Sequence, residues 1–328
     1  MAAPSGKQEA RLEVPPQASA ARCEGDDLLA EMRLKDPETH RSIMEQASAT
    51  ENSGALLWKV ERPGRPASHL FGTVHVTDER VVASPAVRTA LEQSKALALE
   101  VADLSAAANS AAMAKAAGLV MFTDGRRLDR MVSAEEYEKL RASLARAGMP
   151  AEASASFRPW IAYLILSVPE CERRKVKDGQ LVLDMRLAEQ AKAHKIPVVG
   201  LETIEQQLAS LAAVPEEQQL DMLRATLRYI DRSDDLMETM LQLYLRRQMG
   251  AAWPLQQVLA RKAGVADTTY SGLKKELVDD RNVRMRDAAL PLFEDGGAFI
   301  AVGALHLPGE TGLVKLLREA GYTVTPVE

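Results

Sequence analysis

Two apolar stretches near opposite ends of the chain finish in the same pattern, Gly-x-x-His: Gly72 to His75 in LFGTVH and Gly303 to His306 in IAVGALH. Apolar strands of α/β sheets are buried, and ligands bind beyond their carboxyl ends. A glycine there permits close backbone approach or a positive φ. A histidine just past it is held at the sheet edge, facing a crevice. Each stretch is followed by a helical pattern and a further strand, so a strand–GxxH–helix–strand unit occurs twice. Two such units related by rough symmetry bring His75 and His306 together, and the two ends of the chain must then share one sheet.

The rest of the chain fits that frame. Asp26–Ala47 reads as short helices broken near Pro37. Ala55–Glu61 alternates apolar and polar residues, Pro63-Gly64 marks a turn, and Ser68–Val74 completes a hairpin. Ser84 followed by Pro85 opens a helix running to about Lys95, with a hydroxyl cap and proline in the first turn. Ala96–Val101 is then a nearly continuous apolar strand, and the order strand, helix, strand implies a crossover into a buried parallel pair. Ser133 and Glu136 form a capping box. Pro197–Leu201 reads as a short buried strand, Ala298–Val302 as a strongly apolar one, and Tyr322–Val327 as the last. Between the terminal strand clusters the spacing is helical. Met237, Met240 and Tyr244 form a stripe that suits a core or, as the alternative, a flexible apolar groove for peptide. The expected class is α/β leaning to α+β. A central mixed sheet comes from the two terminal units, and a large helical insertion spans about 103–295, within one domain over 23–328.

Composition narrows the function. Hydrophobic residues at 46% and charged residues at 27% assure a core. A net charge of −5 and a pI near 5.7 argue against nucleic acid as partner. The basic run Arg173–Lys177 reads as a solvated face. No apolar run approaches the roughly 18–20 residues of a membrane span. Residues 1–22 read as a disordered tail, and Ala18-Ser19-Ala20 resembles the end of a secretory signal with no apolar region before it. Cys23 and Cys171 are too few for a disulfide scaffold or zinc finger; they are either one bridge in an oxidising compartment or two unrelated thiols. A bridge and the Ala-Ser-Ala stretch would both point to a periplasmic or secreted protein, with a cytoplasmic one as the alternative.

Two imidazoles and a carboxylate make a common open transition-metal site. Glu100 stands inside the apolar run ALALEVA, where an unpartnered charge is costly. Alone, His75 reads as a structural histidine; the paired contexts and Glu100 favour a site of His75, His306 and Glu100. If Ala96–Val101 pairs beside the GTVH strand, Glu100 and His75 share a sheet end. Asp184, on an otherwise apolar helical face, is either a support for that site or half of a core ion pair. Glu202, at a strand end, either lines the site or opens the helix at Thr203.

The chain resembles the TraB/GumN family, grouped with the TIKI metalloproteases and more distantly similar to the ChaN and erythromycin-esterase proteins. The stretches LLWKVE, LFGTVHVTD, ALALE, LDMRLAEQA, PVVGLETIEQQ, DDRNVRM and FIAVGALHLPGETGLVKLLREAGYTV carry the resemblance, spanning Leu56 to Val324. It implies that the paired motifs are Gly72–His75 and Gly303–His306, that the acidic residue is Glu100, and that the Arg-Asn element is Arg281 and Asn282. It further implies metal-dependent peptidase chemistry on a peptide or protein substrate, with manganese or cobalt, or else zinc. In the expected mechanism Glu100 is either ligand or general base. Arg281 stabilises an oxyanion or anchors a substrate carboxylate or, alternatively, only pairs with Asp279 or Asp280, and Asn282 supports Arg281 or caps the helix. The rivals are a peptide- or haem-binding protein without turnover, as the ChaN and pheromone-shutdown likenesses permit, and an esterase.

Overall fold

The structure, a computed structural model, describes residues 22–103 and 105–328. The expected tail, with Ala18-Ser19-Ala20, lies outside them but for Arg22. Six strands form one mixed sheet: β1 (Leu57–Glu61), β2 (Ser68–Thr73), β3 (Ala96–Leu99), β4 (Val198–Gly200), β5 (Ala298–Gly303) and β6 (Thr323–Pro326). Their order is β4-β3-β5-β2-β1-β6. The two ends of the chain do meet, because β5 pairs in parallel with β2, Thr73 opposite Gly303.

That insertion corrects one expectation. β3 does not lie beside β2: β5 separates them, pairing in parallel with both. The strand AFIAV is apolar throughout and buried throughout, so it takes the central position, where both faces need cover. Phe299 and Ala301 face a core with Phe71, Leu97 and Leu99, while Ile300 and Val302 face a second core with Leu70 and Ala98. The symmetry of the two units is also partial. β6 pairs antiparallel with β1 at the far edge, whereas β3 joins the parallel side. Nor is β4 buried as expected; it is a half-exposed to exposed edge strand, its Val199 open to solvent.

Local signals place the elements well. Ser84 accepts the Val87 N–H at 3.1 Å and caps the helix Pro85–Glu92, and Ser133 and Glu136 form their capping box. Pro37 starts the helix Pro37–Ala49 after Leu28–Lys35. The helical insertion builds a third core around Leu140, Leu144, Trp160 and Leu223. The basic run is less solvated than expected: it lies in the helix Glu170–Lys177, whose Glu172 and Lys175 are buried. No helix among the described residues is long and apolar enough to cross a membrane.

Cys23 and Cys171 are joined by a disulfide, their Cα atoms 5.7 Å apart across 148 residues of sequence. It ties the start of the described chain to the helix Glu170–Lys177. Closing so long a loop restricts the unfolded chain strongly, and replacing both cysteines by serine is expected to lower unfolding free energy by about 2–5 kcal/mol, read from urea denaturation with and without a reductant.

Candidate active site

β2, β3 and β5 all end at one edge of the sheet, and the candidate residues sit just beyond. His75 follows β2 in an irregular segment, Glu100 follows β3, and His306 lies in the tight turn Ala304–His306 after β5. The three converge on Gly303. A methyl group built there would lie 3.2 Å from Glu100 Oε1, 3.6 Å from His306 Cδ2 and 3.9 Å from His75 Nε2. Neither motif glycine has a positive φ; both serve close approach. A side chain at Gly72 would meet Leu307 Cδ1 at 2.7 Å and the Ala304 Cα at 3.0 Å, so Gly72 lets the turn bearing His306 close onto β2.

Each imidazole is oriented by a buried oxygen. His75 Nδ1 is 2.9 Å from Asp184 Oδ2, and Thr73 donates to the other Asp184 oxygen at 2.7 Å. His306 Nδ1 is 2.7 Å from Asn282 Oδ1, and the Asn282 amide donates to the Thr311 carbonyl at 2.8 Å. The Asn282 amide thus presents its oxygen to the ring, which makes Nδ1 the donor and leaves Nε2 with its lone pair. Asp184 is therefore a support of His75, and Asn282 a support of His306 rather than of Arg281.

Glu100 accepts three hydrogen bonds: from the Gly303 N–H at 2.7 Å, from Gln207 at 3.1 Å and from Arg281 at 2.6 Å. Arg281 also donates twice to Glu202, at 2.7 and 2.9 Å, and its third nitrogen lies 3.5 Å from His306 Nε2. The expected alternative pairing of Arg281 with Asp279 or Asp280 is absent; those carboxylates take Lys274 and Lys275. Glu202 lines the site, while Thr203 caps the helix Ile204–Ala213. Arg281 stands at the start of Asp280–Asp295, just after a wider π-helical turn, Lys275–Asp279, whose Leu277 carbonyl it also meets at 3.3 Å. Such bulges recur where a side chain must be re-aimed at a functional site.

The electrostatics follow. Burial disfavours charge on Glu100, but His306, Arg281 and His75 outweigh it and hold its pKa near 2. Burial lowers the pKa of His306 to about 4 despite Glu100 beside it. Desolvation also opposes charge on His75, yet Asp184, by charge and hydrogen bond, raises it to about 9. The His75 side chain is 56% exposed, against 7% for His306, so His75 faces solvent and His306 lies beneath the surface.

The donor set suits a divalent transition metal in kind: two imidazoles with Nε2 turned inward and Nδ1 held, plus an ionised carboxylate. The donors are not drawn to bonding distance. His306 Nε2 and Glu100 Oε1 are 3.7 Å apart, and among the described residues the three donor atoms do not all lie within 4.8 Å of one another. The cluster that does, Cys23, Cys171 and Asp234, contains the disulfide and offers no free thiolate.

Two supporting residues are not legible as such in the sequence: Glu172 carries no signal, and Tyr244 stands out only as part of an apolar stripe. Tyr244 donates to the Gly72 carbonyl at 2.9 Å, locking the first motif from the helix Ser233–Leu245. Glu172, one residue past the disulfide, accepts from the Thr77 backbone N–H and at 3.1 Å from the Thr77 hydroxyl, fixing the segment after His75. Glu172 sits in a strongly polar stretch, and the apolar stripe around Tyr244 signals packing rather than a bond to Gly72.

A family model described as the TraB/PrgY/gumN family matches residues 56–326. The chain belongs to that family. It is 26% identical over 257 residues to the uncharacterized protein YbaP of Shigella flexneri, covering 78% of this chain and 89% of that one, and equally to YbaP of Escherichia coli K12.

Without bound metal, these shifts make the joint contribution of the two histidines to stability greatest near pH 6.5. His306, depressed in the fold, stabilises fully above its unfolded value, and that contribution is lost as pH falls from 6.5 toward 4. His75, raised in the fold, stabilises fully below 6.5 and loses that contribution as pH rises through about 9. Thermal midpoints across pH are expected to show both limbs. Asp184→Asn should flatten the alkaline limb and His306→Gln the acid one.

Proposed function

We propose that this chain is a metal-dependent hydrolase of peptide bonds. The observation that carries this is the pairing of His75 with Asp184 and of His306 with Asn282, which leaves both Nε2 atoms facing a common carboxylate. Such outer hydrogen bonds fix tautomer and raise basicity in metal-ligating histidines. His75, His306 and Glu100 would hold the ion, with manganese, cobalt or zinc as candidates. A bound divalent ion supplies a water of pKa near 7 and polarises a carbonyl.

The protein's own groups do the remainder. Glu100, held ionised by three donors, is too weak a base at neutral pH to carry a proton efficiently, which favours the ligand role over the general-base role. Glu202 and Glu100 hold the Arg281 guanidinium beside His306 Nε2. From there Arg281 offers a fixed donor to oxygen that becomes anionic as a carbonyl is attacked. His75, on the solvent side, marks where a substrate would approach. The disulfide supports a working place in an oxidising compartment, the periplasm or outside the cell.

Two outcomes are expected. Because Asp184 keeps His75 protonated at pH 7, loading metal should release about one proton, seen as a buffer-dependent enthalpy in titration calorimetry with manganese or zinc. A peptide library incubated with manganese, cobalt or zinc should be cleaved, cleavage should stop with chelator, and His75→Ala or His306→Ala should each lower kcat/KM by more than about a hundredfold. Turnover of activated esters with none of peptides would move the assignment to an esterase. Stoichiometric metal with neither turnover would leave a binding protein.

A further inference from the structure

The helical insertion contains a cavity of about 270 Å³ that shares no residue with the site above. It lies among the helices Pro159–Leu166, Glu216–Tyr229, Ser233–Leu245, Ala252–Lys262 and Asp267–Lys274. Leu236, Met237, Met240, Leu255, Leu259 and Val265 make up much of the wall, and no charged side chain lines it. Met237 and Met240 were the stripe readable as core or as apolar groove; they rest against the core on one side and on this cavity on the other. The walls are adaptable, since methionine has three rotatable bonds and a polarisable sulfur.

Two phenols give the cavity a direction. Tyr270 lines it and is 9% exposed, and its buried hydroxyl has no hydrogen-bond partner. Tyr163, half-buried, also lines it; Tyr270 alone of the two carries a buried hydroxyl without a partner. A buried hydroxyl without a partner costs about 1–3 kcal/mol, so an orphan of this kind asks for an occupant with an acceptor. Desolvation raises the pKa of both phenols, and each remains a neutral donor at physiological pH. An apolar cavity of about 150 Å³ already admits benzene. This one has room for a molecule nearly twice as large.

We propose that this cavity binds a small, uncharged, largely apolar molecule bearing a carbonyl oxygen, with Tyr163 and Tyr270 donating to that oxygen. Charge is excluded because no cationic or anionic side chain is there to offset desolvation of an ion. The cavity has no part in the proposed hydrolysis, so either proposal can fail without the other.

The test uses the disulfide-intact chain and three probes of similar skeleton: butyrophenone, butylbenzene (the same skeleton with a methylene for the carbonyl) and 4-phenylbutanoate. Titration followed by calorimetry and thermal midpoint should give saturable binding of butyrophenone, weaker binding of butylbenzene and least of 4-phenylbutanoate. Tyr163→Phe and Tyr270→Phe should each weaken butyrophenone by about fivefold, the loss of one ordinary hydrogen bond, and leave butylbenzene unchanged. Ala260→Trp, which fills the cavity, should abolish binding of both while His75→Ala leaves it intact. No saturable binding, binding indifferent to Ala260→Trp, or 4-phenylbutanoate binding as well as butyrophenone would overturn the proposal. The tyrosine substitutions keep ring volume, so unfolding does not obscure the result.

Discussion

One guanidinium shared between two buried carboxylates sets the terms for the rest of the molecule. Glu100, Glu202 and Asp184 are all at least nine-tenths buried, and the guanidinium set among them is that of Arg281, its side chain 12% exposed. Arg284 reaches Glu202 from a half-exposed position at 3.4 Å. Desolvating a carboxylate costs several kcal/mol that a partner must offset. Arg281 serves Glu100 and Glu202 together and leaves Asp184 to His75. The site therefore carries an excess of negative charge that a protonated His75 offsets at neutral pH, and a divalent cation would offset it more fully. The raised pKa of His75 and the suitability for metal are two expressions of the same imbalance.

Holding that cluster requires contacts from far along the chain. β5 supplies the Gly303 N–H to Glu100, and Glu202 lies beside Glu100 because its N–H continues the β3–β4 pairing onto the Glu100 carbonyl at 2.8 Å. The helical insertion reaches back through Tyr244 to Gly72 and through Glu172 to Thr77. The disulfide fastens the helix that carries Glu172. The insertion thus braces the segment around His75 as well as forming a core of its own.

Much of the sheet was legible in the residues. Strand ends, caps and the paired GxxH motifs are short-range signals, and a lone glutamate in ALALEV marks a partnered charge without any structure. Strand order is different. The hydrophobic content of AFIAV says it is buried, but not that it enters between β2 and β3, because pairing partners are chosen by distant residues. The same limit applied to β4: PVVGL is apolar, yet its place at the sheet edge depends on what lies beyond it. Asp184 and Asn282 were visible as polar residues in helices, while their partners were set only by the meeting of the chain ends. The pairing of Arg281 likewise depends on a π-helical turn that no local pattern announces.

The two chain ends are proposed to build one metal centre through the Nε2 atoms of His75 and His306. Nitrogen-15 histidine NMR of the zinc-loaded protein, with His75→Ala and His306→Ala for assignment, tests it directly. Two rings with metal-shifted Nε2 and a retained Nδ1–H are the expected result. Metal shifts on neither ring, or on one alone, would contradict it.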